Sequence, residues 1–298
     1  MPDNGWRRRR RVIRHGGGQI IDEARAVVEA WRTAPHQAAD GLPEWLVDAG
    51  DAPGIGHLID HTLLRPETGR DAILTLCDEA VRYGLKSVCV NGGWVEDCVS
   101  RLARSGVTVV TVVGFPLGAA TTKAKAAEAR LAAGAGASEL GMVMAIGQAK
   151  SGEWRYVEDD IGRVVDAVGN EVSVSVILET GALEPVEMAA GCLVARAAGA
   201  AFVKSSTGFH PAGGATEGAI SLLRRSVGSE LGVKASGGVR TAEAALRMLA
   251  AGANRIGTSS AAVMGSVLGA SAQPLRELMA LGSASARDGG PSSPVPGY

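Results

Sequence analysis

The chain has 298 residues and a formal net charge of −1, with 46% hydrophobic and only 4% aromatic residues. That length can bury a sizeable core, and the balanced charge gives no bulk reason to expect a nucleic-acid partner. No apolar run is long enough for a membrane span, and no hydrophobic signal core follows the charged N-terminus. Cys77, Cys89, Cys98 and Cys192 lack CxxC spacing and zinc-like histidine neighbours, so they read as reduced thiols of a cytoplasmic protein.

Residues 1–55 read as an N-terminal extension. It opens on five consecutive arginines, Arg7 to Arg11. Such a run can meet an anionic surface or a nucleic acid, but basic runs are usually solvated, and a solvated tail is the reading taken here. Ile20, Ile21, Ala24, Val27, Val28 and Trp31 then recur on one helical face. That helix would pack on the main domain or on a neighbouring subunit of a homo-oligomer. A Pro-, Gly- and Asp-rich connector follows from about Thr33 to Gly56, with room for one short helix.

From residue 56 to 281 the pattern is regular. Strand-like runs occur at 57–64, 87–90, 107–115, 138–146, 172–180, 201–207, 232–238 and 254–260. Ala-rich helical stretches follow at 67–83, 94–105, 121–135, 155–168, 184–198, 215–228, 241–251 and 261–280. Eight strand–helix units predict an α/β protein with a closed (β/α)8, or TIM, barrel. An open doubly wound sheet would carry a GxGxxG turn after its first strand, and none is present. Residues 282–298 have the composition of a flexible tail.

Catalytic groups of such a barrel sit at the C-terminal ends of its strands. The sixth and seventh strands end in near-copies, "VKSSTG" and "VKASGG", with Lys204 and Lys234 at matching places. Adjacent strands lie roughly 4.8 Å apart, so both amines can share one pocket. A cationic neighbour and partial burial both disfavour an ammonium, and a neutral lysine can form a Schiff base with a carbonyl. The plainer alternative, two lysines snorkelling outward to helix carboxylates, fits less well because the two positions match. "SGGVRT" (236–241) is a Gly-rich loop opening a helix, and "GTSS" (257–260) closes the eighth strand. Both lie where this fold often holds phosphate, and Gly208 could complete the cradle. No His/Cys cluster offers a metal site. A lysine-based carbonyl reaction on a phosphorylated small molecule, without metal or cofactor, is expected.

The stretches "IDHTLLRPE", "SVCVN", "VVGFPLG", "AKSGEW", "VILETG", "FVKSSTGF", "VKASGGVRT" and "RIGTSS" resemble, in order, the deoxyribose-phosphate aldolase family of class I aldolases, over roughly residues 55 to 265. The resemblance implies reversible cleavage of 2-deoxy-D-ribose 5-phosphate to glyceraldehyde 3-phosphate and acetaldehyde, so the partners are a small phosphorylated sugar and short aldehydes. It implies Lys204 as the Schiff-base lysine and Lys234 as the second lysine, tuning the first and moving protons. It also implies phosphate contacts from Gly208, Gly237, Gly238, Val239, Ser259 and Ser260, and substrate contacts from Asp60 and Thr62. Strand-end hydrogen bonding is an equal alternative for the last two.

The sequence departs from the family on the fourth and fifth strands. Where the family typically reads "DEIDMVINIG", this chain reads "SELGMVMAIG". Gly141 stands in place of the proton-relay aspartate, Ala145 in place of an asparagine, and Ser175 in place of a lysine. Glu139 shares strand parity with Gly141 but sits two residues, roughly 6.6 Å, deeper. It is expected to be a poor direct substitute, and a C-terminal tyrosine, Tyr298, is another candidate. Two further readings follow from the departure: a lysine aldolase with a different aldehyde specificity, or a barrel that binds a sugar phosphate without turnover.

Overall fold

The computed structural model describes residues 17–33, 54–264 and 277. The arginine run, most of the connector, the last expected helix beyond residue 264, the C-terminal tail and Tyr298 lie outside the described residues.

After helix α1 (Gly17–Thr33), the strands and helices alternate as β1 (Ile59–Leu63), α2 (Arg70–Arg82), β2 (Ser87–Val90), α3 (Val95–Arg101), β3 (Thr108–Val113), α4 (Thr122–Gly134), β4 (Glu139–Val143), α5 (Ile146–Lys150), α6 (Trp154–Val168), β5 (Ser173–Ile177), α7 (Pro185–Ala197), β6 (Phe202–Lys204), α8 (Glu217–Val227), β7 (Gly232–Ser236), α9 (Ala242–Ala250), β8 (Arg255–Thr258) and α10 (Ala261–Met264). The eight strands are parallel and close in sequence order, β8 pairing with β1. All eight fall inside the expected segments. The short α5 was not expected, because five residues are too few to express a helical period.

Each strand is buried on both faces, one against the helices and one toward the barrel axis, so apolar residues run almost without a break. In β2, β4, β7 and β8 every residue is buried. The helices start at defined points: the Thr121, Thr216 and Thr241 hydroxyls accept from the amides three residues on, capping α4, α8 and α9. Helix α1 buries Ile20, Ala24 and Val28 against α7 and α8. Trp31 Nε1 donates to Ser221 Oγ at 3.3 Å, and Arg196 pairs with Glu23 at 3.3 Å. The expected amphipathic helix therefore docks on its own barrel.

One buried ion pair ties the helical layer to β4. Lys125 Nζ meets Asp160 at 2.6 Å and donates to the Val143 carbonyl at 3.0 Å, while Thr122 Oγ1 donates to the same carboxylate at 2.8 Å. Both charged side chains are 0% exposed. Removing one partner strands the other charge, which costs about 3–5 kcal/mol, whereas exchanging both for apolar groups of similar volume is far cheaper. Asp160→Ala is therefore expected to lower stability to chemical denaturation by that amount, and Lys125→Met with Asp160→Leu by much less.

Candidate active site

The inward residues of the strands form two layers. The lower layer is ionic. Asp60 on β1 accepts from Ser87 Oγ at 2.6 Å, from Lys234 Nζ at 3.2 Å and from the Arg255 guanidinium. Glu139 on β4 pairs with Lys234 Nζ, and its Oε2 lies 3.9 Å from Arg255. Two carboxylates from β1 and β4 thus face two cations from β7 and β8, all of them buried. The Phe202 ring lies beneath the cations, 4.7 Å from Lys234 Nζ and 5.8 Å from the Arg255 guanidinium carbon. It fits because β7 begins at Gly232, where a Cβ would fall 2.0 Å from the ring.

Burial alone would raise the Asp60 carboxyl, but the charges of Arg255 and Lys234 outweigh it and hold the group well below the usual carboxylate range. The Arg255 guanidinium, which burial would lower, is raised by Asp60 and Glu139.

The upper layer holds Lys204, at the C-terminal end of β6 and directly opposite Lys234 in the ladder. Lys204 is 7% exposed. Among the described residues it has no ion pair and no side-chain hydrogen bond. Leu64, Cys89, Val110 and Val112 form a separate apolar cluster with Phe115 packed on it, and Cys89 feels the charges of Lys204 and of the ionic layer. Burial pushes the Cys89 thiol up to about 11, so it is protonated at neutral pH. Phe209 meets Phe115 edge to face with centroids 5.2 Å apart.

The turn after β6 is fixed by hydroxyls. Ser205 Oγ donates to the Ser236 carbonyl and accepts from the Ser236 amide, both at 2.9 Å, and Ser236 Oγ donates to the Ser206 carbonyl. Thr207 Oγ1 donates to Glu179, a buried residue in left-handed conformation (φ 62°) after β5. These bonds set Gly208 beside the loop after β7. Gly208, Gly237 and Gly238 all have positive φ. The loop after β6 approaches Gly237 so closely that a Cβ on Gly214 would sit 2.1 Å from the Gly237 carbonyl oxygen. Val239 is buried, and its carbonyl accepts from Thr258 Oγ1 at 2.6 Å. Ser259 is exposed, and the Ser260 amide donates to Thr258 Oγ1 at 3.0 Å.

The predicted site residues therefore divide. Lys204, Lys234 and the glycine-rich turns after β6, β7 and β8 lie at one end of the barrel. Asp60 has its oxygens taken by protein donors, and Thr62 Oγ1 donates to the Asp60 carbonyl at 3.0 Å, the strand-end bonding weighed as the alternative. Glu139, expected to sit too deep to replace the aspartate missing at 141 directly, pairs with Lys234 across the barrel. Arg255, Ser87 and Glu179 were missed. An arginine inside the apolar run "NRIGTSS" carries the same signal that singled out Lys204. Nothing local marks Ser87 or Glu179. At Gly141 a Cβ would find only ordinary contacts, at 3.6–3.7 Å, with Ile177, Ser175 and the Thr111 carbonyl. Ser175, its ladder partner, donates to the Leu140 carbonyl at 3.2 Å. Among the described residues no three His, Cys, Asp or Glu side chains group as a metal site, and no helix is long and apolar enough to cross a membrane.

Residues 57–272 match the DeoC/LacD family aldolase pattern. Deoxyribose-phosphate aldolase 1 of Bacillus licheniformis is 50% identical over 206 residues, covering 69% of this chain and 92% of that protein. The deoxyribose-phosphate aldolase of Clostridium kluyveri is 47% identical over 210 residues, covering 70% and 96%. Among solved structures, the tetrameric deoxyribose phosphate aldolase of Aeropyrum pernix is 27% identical with a TM-score of 0.66, covering 85% of this chain and 97% of that one.

The Asp60 carboxyl has an ordinary value of 3.8 and is lowered in the fold, so the unfolded chain binds more protons in this range. The stability it contributes is complete above that value and is lost as pH falls below about 4. Thermal unfolding is expected to show a falling midpoint on that acid side, with a shallower fall in Asp60→Asn.

Proposed function

The chain belongs to the DeoC/LacD family of aldolases, an aldehyde-lyase on a (β/α)8 barrel, and we propose that it cleaves 2-deoxy-D-ribose 5-phosphate reversibly through a Schiff base on Lys204. The observation that carries this reading is Lys204 itself: a buried amine with no ionic partner among the described residues, beside a second lysine that has two.

The Lys204 amine attacks C1 of the open-chain sugar, and loss of water gives the protonated imine. A base takes the C3 hydroxyl proton. The C2–C3 bond breaks, glyceraldehyde 3-phosphate leaves, and the electron pair flows into the iminium to give an enamine. Protonation at C2 and hydrolysis release acetaldehyde and restore the amine. Lys234 is the proton carrier in this scheme. Its position opposite Lys204 and its pairing with Asp60 and Glu139 support the role. The amides around Gly208, Gly237 and Gly238, with Val239, Ser259 and Ser260, take the phosphate, supported by the positive-φ turns and by the start of α9 close behind them. The apolar patch of Leu64, Val110 and Val112 suits a short aldehyde. Four free, buried cysteines support a reducing, cytoplasmic setting, and the Aeropyrum tetramer supports a homo-oligomer.

A second reading has one observation in its favour. Gly141 and Ser175 face each other in the ladder with room for a side chain, which suits a bulkier aldehyde donor. Rates with propanal and acetaldehyde compare the two, and a preference for propanal would favour it.

Borohydride reduction in the presence of acetaldehyde is expected to leave an ethyl group on Lys204, read by peptide mass spectrometry. Lys204→Ala is expected to lose the adduct and to drop turnover to background. Trapping at another lysine, or none at all, sinks the assignment.

A further inference from the structure

We propose that Glu139 is the positioning residue that holds Lys234 aimed during turnover, a part that position 141, a glycine, cannot play in this chain. The inference rests on the aldolase reading above.

Lys234 has two carboxylate neighbours, and they are not equivalent. Asp60 accepts from three protein donors on three other strands: Ser87 and Arg255 donate to one oxygen and Lys234 to the other. Among the described residues Glu139 has fewer partners. One oxygen meets Lys234 Nζ, while Oε2 has no hydrogen bond among the described residues and only Arg255 at 3.9 Å. Its side chain is 9% exposed, against 0% for the structural pair Lys125–Asp160. Glu139 has Lys234 as its one close partner among the described residues, whereas Asp60 is also held by Ser87 and Arg255.

The geometry on β4 supports the assignment. Glu139 and Gly141 lie on the same inward face, and Gly141 has no side chain to stand between Lys234 and Glu139. Pairing Gly141 with Ser175, whose hydroxyl is turned to the Leu140 carbonyl, leaves that face without another ionisable group on β4 or β5. The ionisable groups facing Lys234 are Asp60 from β1, Cys89 from β2, Glu139 from β4, Lys204 from β6 and Arg255 from β8. Cys89 is a neutral thiol. Of the two anions, only Glu139 can be neutralised without breaking the contact that holds Arg255 to Asp60.

Replacing Glu139 by glutamine removes one of the two carboxylates that hold the Lys234 amine and leaves it to Asp60 alone.

The experiment measures kcat and KM for wild type, Glu139→Gln and Glu139→Asp, with borohydride trapping of each. In Glu139→Gln, kcat is expected to fall about 10²-fold, the scale of one positioned acid–base group. KM should stay within about twofold, as for a loss confined to the chemical step, and trapping at Lys204 should persist. Glu139→Asp keeps the charge with a shorter reach and is expected to lose less kcat than Glu139→Gln. It carries the test if Glu139→Gln does not fold, a wild-type kcat then overturning the inference. A Glu139→Gln enzyme with wild-type kcat overturns the inference and leaves the aldolase reading standing. A wild-type protein that neither traps acetaldehyde nor turns over overturns both.

Discussion

The structure depends on one ionic constraint: four charges, Asp60, Glu139, Lys234 and Arg255, enclosed in the floor of a closed barrel. Each comes from a different strand, and their sum is zero. An isolated charge there would be expensive to bury, so each is tolerable only while its partners stay in place. The cluster therefore ties β4 to β7 and β8, and β1 to β7, contacts that the strand ladder does not make. The Phe202 ring packs beneath the two cations, and Gly232 leaves the space for it.

This arrangement separates the two lysines in chemical character although they are partners in the ladder. Lys234 points into the ionic floor and pairs there with Asp60 and Glu139. Lys204 has no counter-ion among the described residues. In the proposed mechanism the unpaired amine is the carbonyl nucleophile and the paired one the proton carrier, drawn from adjacent strands. The serine hydroxyls of β6 and β7, which could pass for catalytic groups, are instead used to fix the turns that lead to the glycine-rich loops.

The alternation of eight apolar runs with eight Ala-rich helices was legible because a strand buried on both faces must be almost wholly apolar, and its helix must show a period. Lys204 stood out because an ionisable residue in such a run needs a reason. The same logic extends to Arg255, which was missed. Depth counted along one strand bore only on whether Glu139 could replace the acid missing at 141; its pairing with Lys234 is set by side chains from different walls of the barrel. The short α5 gave no periodic signal, and the left-handed conformation of Glu179 has none to give.

By itself, then, the sequence determined the closed barrel, the two strand-end lysines and the glycine-rich turns, since these follow from local pattern and from spacing along the chain. Only the tertiary structure decided which charges neutralise one another. That pairing joins residues as far apart in the chain as Asp60 and Arg255, and closure of β8 on β1 brings them together. It committed Asp60 to the ionic floor, turned Thr62 to its own backbone, and brought Glu139 to Lys234. The physical reason is that burial energetics act on what lies within a few ångströms, and in a closed barrel those neighbours come from all around the ring.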